Sequence, residues 1–198
     1  MTPLRLIVGL GNPGPEHLTN RHNAGFWFLD AFARALECRL GSERKLHAET
    51  GRARFDGHDV LLLKPKTYMN NSGRALIAAW NYYKIEPEET LIAHDELDLP
   101  PGTARLKFDG GHGGQNGLRD IMQQLGHGRF HRLRLGIGHP GHKDRVTPWV
   151  LGRAGKDDEE AIITAVGTAL DVMPLVVSGD FERAMTRLHT KDSGLPNP

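Results

Sequence analysis

The stretch Leu4-Arg5-Leu6-Ile7-Val8-Gly9-Leu10-Gly11-Asn12-Pro13-Gly14 decides the fold, because a short apolar run passes directly into a turn rich in glycine and proline. The run from Leu4 to Val8 predicts a buried β-strand. Asn12 then lies where the chain leaves the carboxyl end of that strand, the place where active sites of open α/β sheets form. The segment Arg21-His22-Asn23-Ala24-Gly25 follows and supplies an imidazole. Together the two segments predict an enzyme.

The glycines of this turn also match a nucleotide-binding pattern, since Gly9, Gly11 and Gly14 give G-x-G-x-x-G after a strand. Such a site binds pyrophosphate through backbone N–H groups at a helix start, and Pro13 and Pro15 each remove one of these donors. The pattern also requires an acidic residue about 20 positions later within a short βαβ unit. The next strand-like run comes much later here, so we reject dinucleotide binding.

Composition limits the partners and the cellular location that the chain can have. The chain has 198 residues, with 25 Lys and Arg against 24 Asp and Glu, so a local patch must bind any anionic partner. The single cysteine, Cys38 on the first predicted helix, cannot form an internal disulfide. The start lacks the apolar region of a signal peptide, and no apolar run approaches the roughly 18 residues of a membrane span. We expect a cytoplasmic monomer without a membrane contact.

Helical and strand-like patterns alternate along the chain. Apolar residues recur at helical spacing over 23–36, and Asp56-Gly57 predicts an antiparallel hairpin between 48–55 and 59–64. Further helices are predicted at 74–84, 118–125 and from about 157, and further strands at 90–94, 104–108 and 131–138. This alternation predicts an α/β sandwich with a mixed sheet.

The predicted C-terminal region begins with a long helix. Asp157 and Glu160 resemble a capping box at its start, and Pro174 is expected to kink or end it. We expect one domain over 1–189 and a flexible tail over 190–198.

Polar segments follow several of the predicted strands. One runs from Lys64 to Gly73 and another from His94 to Gly102, and the glycine cluster Gly110–Gly117 opens the helix after the next strand. Glycine N–H groups at a helix start can approach a negative or carbonyl oxygen. These loops are expected to bring together a histidine, an aspartate and three asparagines.

At these residues the chain resembles the bacterial peptidyl-tRNA hydrolases, enzymes that cleave the ester between a prematurely released peptide and its tRNA. The resemblance extends from about Leu4 to His189, and its motifs are Gly9–Gly14, Arg21-His22-Asn23, Tyr68-Met69-Asn70, His94–Asp98, Gly110–Leu118 and His131–Arg134. It implies a single α/β domain whose twisted mixed β-sheet is flanked by helices. It also implies a tRNA partner, and we expect neither a cofactor nor a metal.

The resemblance implies that His22 is the catalytic base, that Asp95 is its partner, and that Asn12, Asn70 and Asn116 position substrate and water. These residue types suit ester hydrolysis by water. Imidazole titrates near neutrality, a carboxylate fixes its tautomer, and amides offer donors and acceptors that do not titrate. Asn12 also suits a simple Asn-Pro-Gly turn.

Two other mechanisms are weighed against direct attack by water. A covalent intermediate would need an activated nucleophile, but Ser72 lies outside a G-x-S-x-G elbow and Cys38 has no evident base. A zinc site could be imagined from His22, His94, Asp95 and His112, but no H-x-x-x-H or C-x-x-C spacing supports it. We therefore favour water attack without a metal.

Basic side chains repeat with a period of two on two predicted strands. Arg105 and Lys107 share one face, as do Arg132 and Arg134. Such ridges could straddle a phosphate backbone or simply be solvated. The resemblance places Arg105, Lys107, Arg134 and Lys143 at positions that contact tRNA.

Two residues near the site depart from the family pattern. His17 replaces a usual tyrosine that borders the active site, and Asn20 replaces a usual threonine. Because imidazole can still stack on a base, we keep His17 as a binding residue together with Tyr68 and Met69, although Met69 also suits core packing. The alternative function is RNA binding by the same fold without hydrolysis, and the combined presence of His22, Asp95 and the three asparagines argues against it.

Overall fold

The computed structural model describes residues 1–191 as one mixed sheet with helices on both faces. The strands are β1 Leu6–Gly9, β2 Gly41–Glu43, β3 Ala48–Phe55, β4 His58–Pro65, β5 Thr90–Glu96, β6 Ala104–Phe108 and β7 His131–Gly136. The helices are α1 Ala24–Ala35, α2 Ser72–Tyr83, α3 Asn116–Leu125, α4 Val146–Val150, α5 Lys156–Ser178 and α6 Phe181–Lys191. The predicted α/β class is confirmed.

The seven strands lie in the order β2-β3-β4-β1-β5-β7-β6. The four central strands β4, β1, β5 and β7 are parallel, and antiparallel strands close both edges. The carboxyl ends of β4, β1 and β5 therefore meet at one end of the sheet, where the loops that follow them carry the predicted catalytic residues. The predicted hairpin is confirmed as β3–β4, with positive φ at Asp56 and Gly57.

The core has two layers because alternate residues of the central strands face opposite sides of the sheet. Ile7 and Leu91 lie in a cluster that includes Phe28 of α1 and Ile162 of α5. Their neighbours on the opposite face pack against α2 and α3, as Ile92 does with Leu76 and Leu118. Burial on both faces explains why the central strands have nearly continuous apolar sequences.

Three local predictions were wrong. β5 continues through Glu96, so Asp95 lies in the strand and not in the loop after it. Cys38 follows α1, which ends at Ala35. The long helix α5 has Gly155 at its N-cap and no side-chain cap, so Asp157 and Glu160 do not form a capping box there.

Two further outcomes concern the C-terminal helices. Pro174 lies inside α5, which continues to Ser178, so proline does not end the helix. α6 extends to Lys191, beyond the predicted boundary at residue 190. The rest of the predicted tail, 192–198, lies outside the described residues.

The sequence analysis also missed one long apolar run, which forms most of α5. This helix is long and apolar enough to cross a membrane by length and composition alone. Its buried side packs in the core with the sheet and α1, through Ile162, Val166, Ala169 and Met173. We interpret its hydrophobicity as that of a core helix, since a helix buried within a domain passes the same compositional test.

A close contact between Gly9 and Gly25 sets the position of the segment that carries His22. A Cβ atom on Gly25, in the first turn of α1, would lie 2.4 Å from the Ala93 carbonyl oxygen and 2.6 Å from that of Leu10. A Cβ on Gly9 would lie 2.3 Å from the Gly25 carbonyl oxygen. These are backbone contacts that cannot move aside, so only glycine lets α1 approach β1 and β5 this closely. His22 directly precedes this helix.

We predict that Gly25→Ala destabilises the fold by about 2–3 kcal/mol, because the methyl group overlaps backbone atoms of two strands. Gly167→Ala is the matched control, since Gly167 lies within α5 and a Cβ there meets nothing within 4 Å. Alanine in that helix should stabilise by about 0.5–1 kcal/mol. Thermal and urea unfolding of both variants measure the effect, and equal stability of the two would disprove the close contact.

Candidate active site

A cavity of about 380 Å³ opens at the carboxyl ends of β1, β4 and β5. The polar segments that follow these strands line it, together with the start of α3 and one side of α4. Its lining includes His22, Asp95, Asn12, Asn70, Asn116, His17, Tyr68 and Met69. The fold therefore brings together every residue that the sequence analysis placed at the reacting centre.

The central contact joins His22 and Asp95. His22 Nδ1 lies 2.7 Å from Asp95 Oδ2, and both side chains are buried, with 6% and 3% of the residue exposed. Burial lowers the pKa of His22, but the charge and the hydrogen bond of Asp95 outweigh it, so the pKa is raised. With Nδ1–H donating to the carboxylate, the lone pair of the neutral ring lies on Nε2. This is the arrangement of an oriented general base.

Gln115 supports the carboxylate and was not among the predicted site residues. Its Nε2 donates to Asp95 Oδ1 at 2.9 Å, while its Oε1 accepts the Leu118 backbone N–H at 2.8 Å. One buried amide therefore caps α3 and fixes Asp95, because both its donor and its acceptor have partners. The sequence did contain a signal for Gln115, because it is the polar residue directly before α3, where a side chain can cap the helix.

Asn12 is fixed by a second hydrogen-bonded network. Asn23 Oδ1 accepts the Asn12 backbone N–H at 2.7 Å, and Asn23 Nδ2 donates to the Asn12 backbone carbonyl at 3.0 Å. Asn12 Oδ1 in turn accepts the Met69 backbone N–H at 2.7 Å. This network joins the loops after β1 and β4. It also commits the side-chain oxygen of Asn12 to the fold, so the Asn12 amide can offer substrate mainly its amino group.

The other two predicted amides are more accessible. Asn70 lies in the short 3-10 turn Met69–Asn71, and Asn116 is the first residue of α3; both are exposed. Met69 is only 3% exposed and packs in the core beside α2 and α3, although it also lines the cavity. The two proposed roles of Met69 are therefore compatible.

An apolar wall of the cavity was not predicted. It consists of Leu97 after β5 and of Val146, Val150 and Leu151 in and after α4. Arg21 ties this wall to the catalytic segment, since its Nη1 donates to the Trp149 carbonyl at 3.0 Å and its guanidinium lies 3.6 Å from the centre of the Trp149 ring. Arg21 and Trp149 are more than a hundred residues apart in the sequence, so no local sequence pattern predicts their contact.

The two departures from the family pattern contact each other. Asn20 Nδ2 lies 2.8 Å from His17 Nδ1. The His17 ring lies edge-on to Tyr68 with ring centres 6.3 Å apart, and Tyr68 is 58% exposed. His17 and Tyr68 therefore form an aromatic border to the cavity, with the imidazole oriented by Asn20.

His94 is separated from the reacting centre, because neighbouring residues of a strand face opposite sides of the sheet. Its Nδ1 lies 2.8 Å from the Asp95 carbonyl, and burial lowers its pKa. In the described part of the chain, no three His, Cys, Asp or Glu side chains form a group that could hold a metal ion.

The basic residues predicted on two strands lie on one face of the sheet. β6 and β7 pair Arg105 with Arg134 and Lys107 with Arg132. Lys107 is exposed, whereas Arg134 is half-buried and its Nε donates to Glu96 at 2.8 Å. Lys143 is not on these strands and lies exposed in the short turn that precedes α4. The predicted ridges therefore form a single surface, which we call the basic face: Arg105, Lys107 and Arg134.

Comparison with known proteins places this geometry in a family. The sequence model of the family "Peptidyl-tRNA hydrolase" matches residues 6–195. A peptidyl-tRNA hydrolase of Xanthomonas campestris pv. campestris is 66% identical over 96% of this chain and 98% of its own length. One from Stenotrophomonas maltophilia is 64% identical over 96% and 99%.

Solved structures agree with this result. The crystal structure of peptidyl-tRNA hydrolase from Acinetobacter baumannii superposes with a TM-score of 0.92 at 49% identity, covering 95% of each chain. The family model spans every segment that lines the cavity. The chain belongs to the peptidyl-tRNA hydrolase family.

Proposed function

We propose that this protein hydrolyses the ester that joins a peptide to the tRNA in peptidyl-tRNA, with His22 as the general base. The observation that carries the proposal is the buried 2.7 Å contact between His22 and Asp95 inside a cavity lined by three asparagines. The names of the relatives describe the same reaction.

In the proposed mechanism, His22 Nε2 takes a proton from a water molecule that attacks the ester carbonyl carbon. Asp95 stabilises the imidazolium that forms, as the aspartate of a catalytic triad does. The tetrahedral intermediate then collapses with cleavage of the bond to the ribose oxygen. The imidazolium returns the proton to that oxygen, so tRNA leaves with a free hydroxyl. The peptide leaves as a carboxylic acid, which loses its proton to solvent and becomes a carboxylate.

We assign the binding of water, oxyanion and substrate to the three asparagines. Asn116 and Asn70 are exposed to the cavity, so we assign to them the attacking water and the developing oxyanion. An amide carbonyl can accept a hydrogen bond from the water, and an amide N–H can donate to the oxyanion. The Asn23 side chain binds the backbone of Asn12, and the Met69 backbone N–H donates to the side-chain oxygen of Asn12. We therefore assign the amino group of the Asn12 side chain to the substrate. We propose that the border of His17 and Tyr68, with Met69 beneath it, binds the ester region or the terminal nucleotide.

RNA binding without hydrolysis is the less favoured function. Burial disfavours a charged carboxylate and a charged imidazole, so the fold bears a cost to keep His22 and Asp95 in contact. A protein that only binds RNA has no need for this arrangement.

We propose that the basic face and Lys143 contact phosphates of the tRNA body. Lys107 is exposed and suits this role directly. Arg134 is paired with Glu96, so a phosphate must share or displace that carboxylate. We further propose a monomer that acts in the cytoplasm without a cofactor and without contact with a membrane.

The direct test is release of peptide from N-acyl-aminoacyl-tRNA by the purified protein, with and without a chelator. We expect hydrolysis in both cases. His22→Ala should reduce the rate by about 10²–10⁴-fold and leave tRNA affinity nearly unchanged, while His58→Ala in the distant hairpin serves as control. Hydrolysis at the parental rate by the His22 variant would refute the mechanism.

A second prediction concerns pH. Asp95→Asn removes the charge and hydrogen bond that raise the pKa of His22 and leaves burial, which lowers it. Since His22 must be neutral to accept a proton, the acid limb of the kcat/KM profile should move to lower pH. The maximal rate should fall by about 10³–10⁴-fold, because an amide stabilises the imidazolium poorly.

The matched control for the pH experiment is Asp98→Asn, which removes a carboxylate three positions away on the exposed turn after β5. This variant should keep the parental profile. An Asp95→Asn variant whose acid limb stays in place would show that Asp95 does not set the pKa of His22.

A third prediction concerns the basic face. Arg105→Gln with Lys107→Gln should weaken binding of full-length tRNA and reduce the salt slope by about 0.7–0.9 for each phosphate that the protein no longer neutralises. Cleavage of a short acylated nucleotide fragment should change little, because the fragment lacks the tRNA body. Arg54→Gln, at an exposed residue of β3, is the control for loss of charge. Equal losses on both substrates would place the two residues at the reacting centre.

A further inference from the structure

Arg132 is a buried cation with unusual partners. It lies in β7 with 2% of its surface exposed. Its Nη2 donates to the Gly110 carbonyl and its Nη1 to the Gly111 carbonyl, each at 2.6 Å. Among the ion pairs found in residues 1–191, none includes Arg132, and its Nε has no hydrogen-bond partner there.

Burial of such a group is unfavourable for stability. A cation transferred from water needs a carboxylate or a full set of hydrogen bonds to offset its lost hydration. Two carbonyl oxygens, the Phe130 ring 5.1 Å from the guanidinium and the charges of Asp109 and Glu96 supply part of this compensation. Burial outweighs them, so the pKa of Arg132 is lowered. Replacement of a buried charged side chain by an apolar one of similar volume is often neutral or stabilising in proteins. The contribution of Arg132 therefore lies in the geometry that its planar guanidinium imposes on the two carbonyls.

Those carbonyls belong to the loop between β6 and α3. Asp109 and Gly110 both have positive φ, at 60° and 97°, which turns the loop back over the sheet. The loop after α3 leaves room for the guanidinium, because a Cβ on Gly128 would lie 2.9 Å from Arg132 Nη2 and 2.6 Å from the Gly110 carbonyl oxygen. Arg132 is thus enclosed between two loops and fixes one of them through two charge-assisted hydrogen bonds.

The fixed loop leads directly to the catalytic carboxylate. Gln115 follows four residues after Gly111, and its backbone N–H donates to the His112 carbonyl at 3.0 Å. Its side chain then donates to Asp95 Oδ1. Asn116, the next residue, lines the cavity. A displacement of the loop would therefore move an asparagine of the site and the donor that orients Asp95.

We propose that Arg132 is a positioning residue for hydrolysis: it holds the loop 110–114 so that Gln115 and Asn116 reach Asp95 and the substrate. The proposal rests on the proposed function above. The proposal gives Arg132 a different role from its cross-strand neighbour Lys107. Both residues belong to basic patterns with a period of two, but Lys107 is exposed. A phosphate cannot readily reach a guanidinium that two loops enclose.

The test compares Arg132→Met with Arg129→Met, which removes an exposed guanidinium three residues earlier. Arg132→Met should lower kcat by about 10- to 100-fold, since small displacements of positioning groups have effects of this size. The Kd of deacylated tRNA should stay within about twofold of the parental value. Arg129→Met should leave kcat unchanged. A loss of tRNA affinity by Arg132→Met at unchanged kcat would overturn the proposal and make Arg132 an ordinary phosphate contact.

A spectroscopic measurement separates positioning from simple destabilisation. The proton between His22 Nδ1 and Asp95 should give a low-field ¹H resonance in the folded protein, and Arg132→Met should shift or broaden it well below the unfolding temperature. An unchanged resonance together with an unchanged kcat would refute the proposal. If the parental protein shows no hydrolysis, the proposed function fails, whereas this resonance still tests the effect of Arg132 on Asp95.

Two further variants keep the test decisive. Arg132→Lys retains the charge in case the methionine variant does not fold, but an ammonium cannot present the planar fork to both carbonyls; full kcat in this variant would overturn the proposal. In a double-mutant cycle, Arg132→Met and Gln115→Ala should have less than multiplicative effects on kcat, because one acts through the other. Multiplicative losses would show that Arg132 does not act through Gln115.

Discussion

The hydrogen bond between His22 and Asp95 joins two segments that are 73 residues apart, and the rest of the site is arranged around it. Asp95 is held in β5 at the centre of the sheet, with its second oxygen bound by Gln115. His22 is held by α1, which the contact between Gly9 and Gly25 brings close to β1 and β5. The geometry of the His22–Asp95 pair is therefore fixed by backbone packing around His22 and by the Gln115 cap of α3 beside Asp95.

The packing of the sheet also determines which basic side chains are exposed. The charge of the whole chain is nearly balanced, so local arrangements must supply any preference for an anionic substrate. The face of β6 and β7 opposite the main core carries arginines and a lysine at paired positions. Burial distinguishes these side chains, because Lys107 is exposed to solvent while Arg132 is enclosed and bound to loop carbonyls.

The sequence predicted the features that depend on short-range pattern. Short apolar runs predicted the central strands, Asp56-Gly57 predicted the β3–β4 hairpin, and the polar segments after three strands predicted most of the cavity lining. Features that depend on distant contacts were missed. Gln115 matters because α3 starts beside Asp95, and the wall of α4 is held by Arg21 through Trp149. A period of two places Arg132 on one face with Arg134, and Lys107 on one face with Arg105, but it does not predict which of these side chains is buried.

The central claim is that His22 is a base whose Nδ1 is committed to Asp95 and whose Nε2 is free to accept a proton. A ¹⁵N NMR titration of the histidines measures this directly. The account predicts that His22 keeps its proton on Nδ1 and titrates at Nε2, with a pKa above the ordinary value of about 6.5. A neutral His22 that carries its proton on Nε2, or a pKa below that value, would contradict the account.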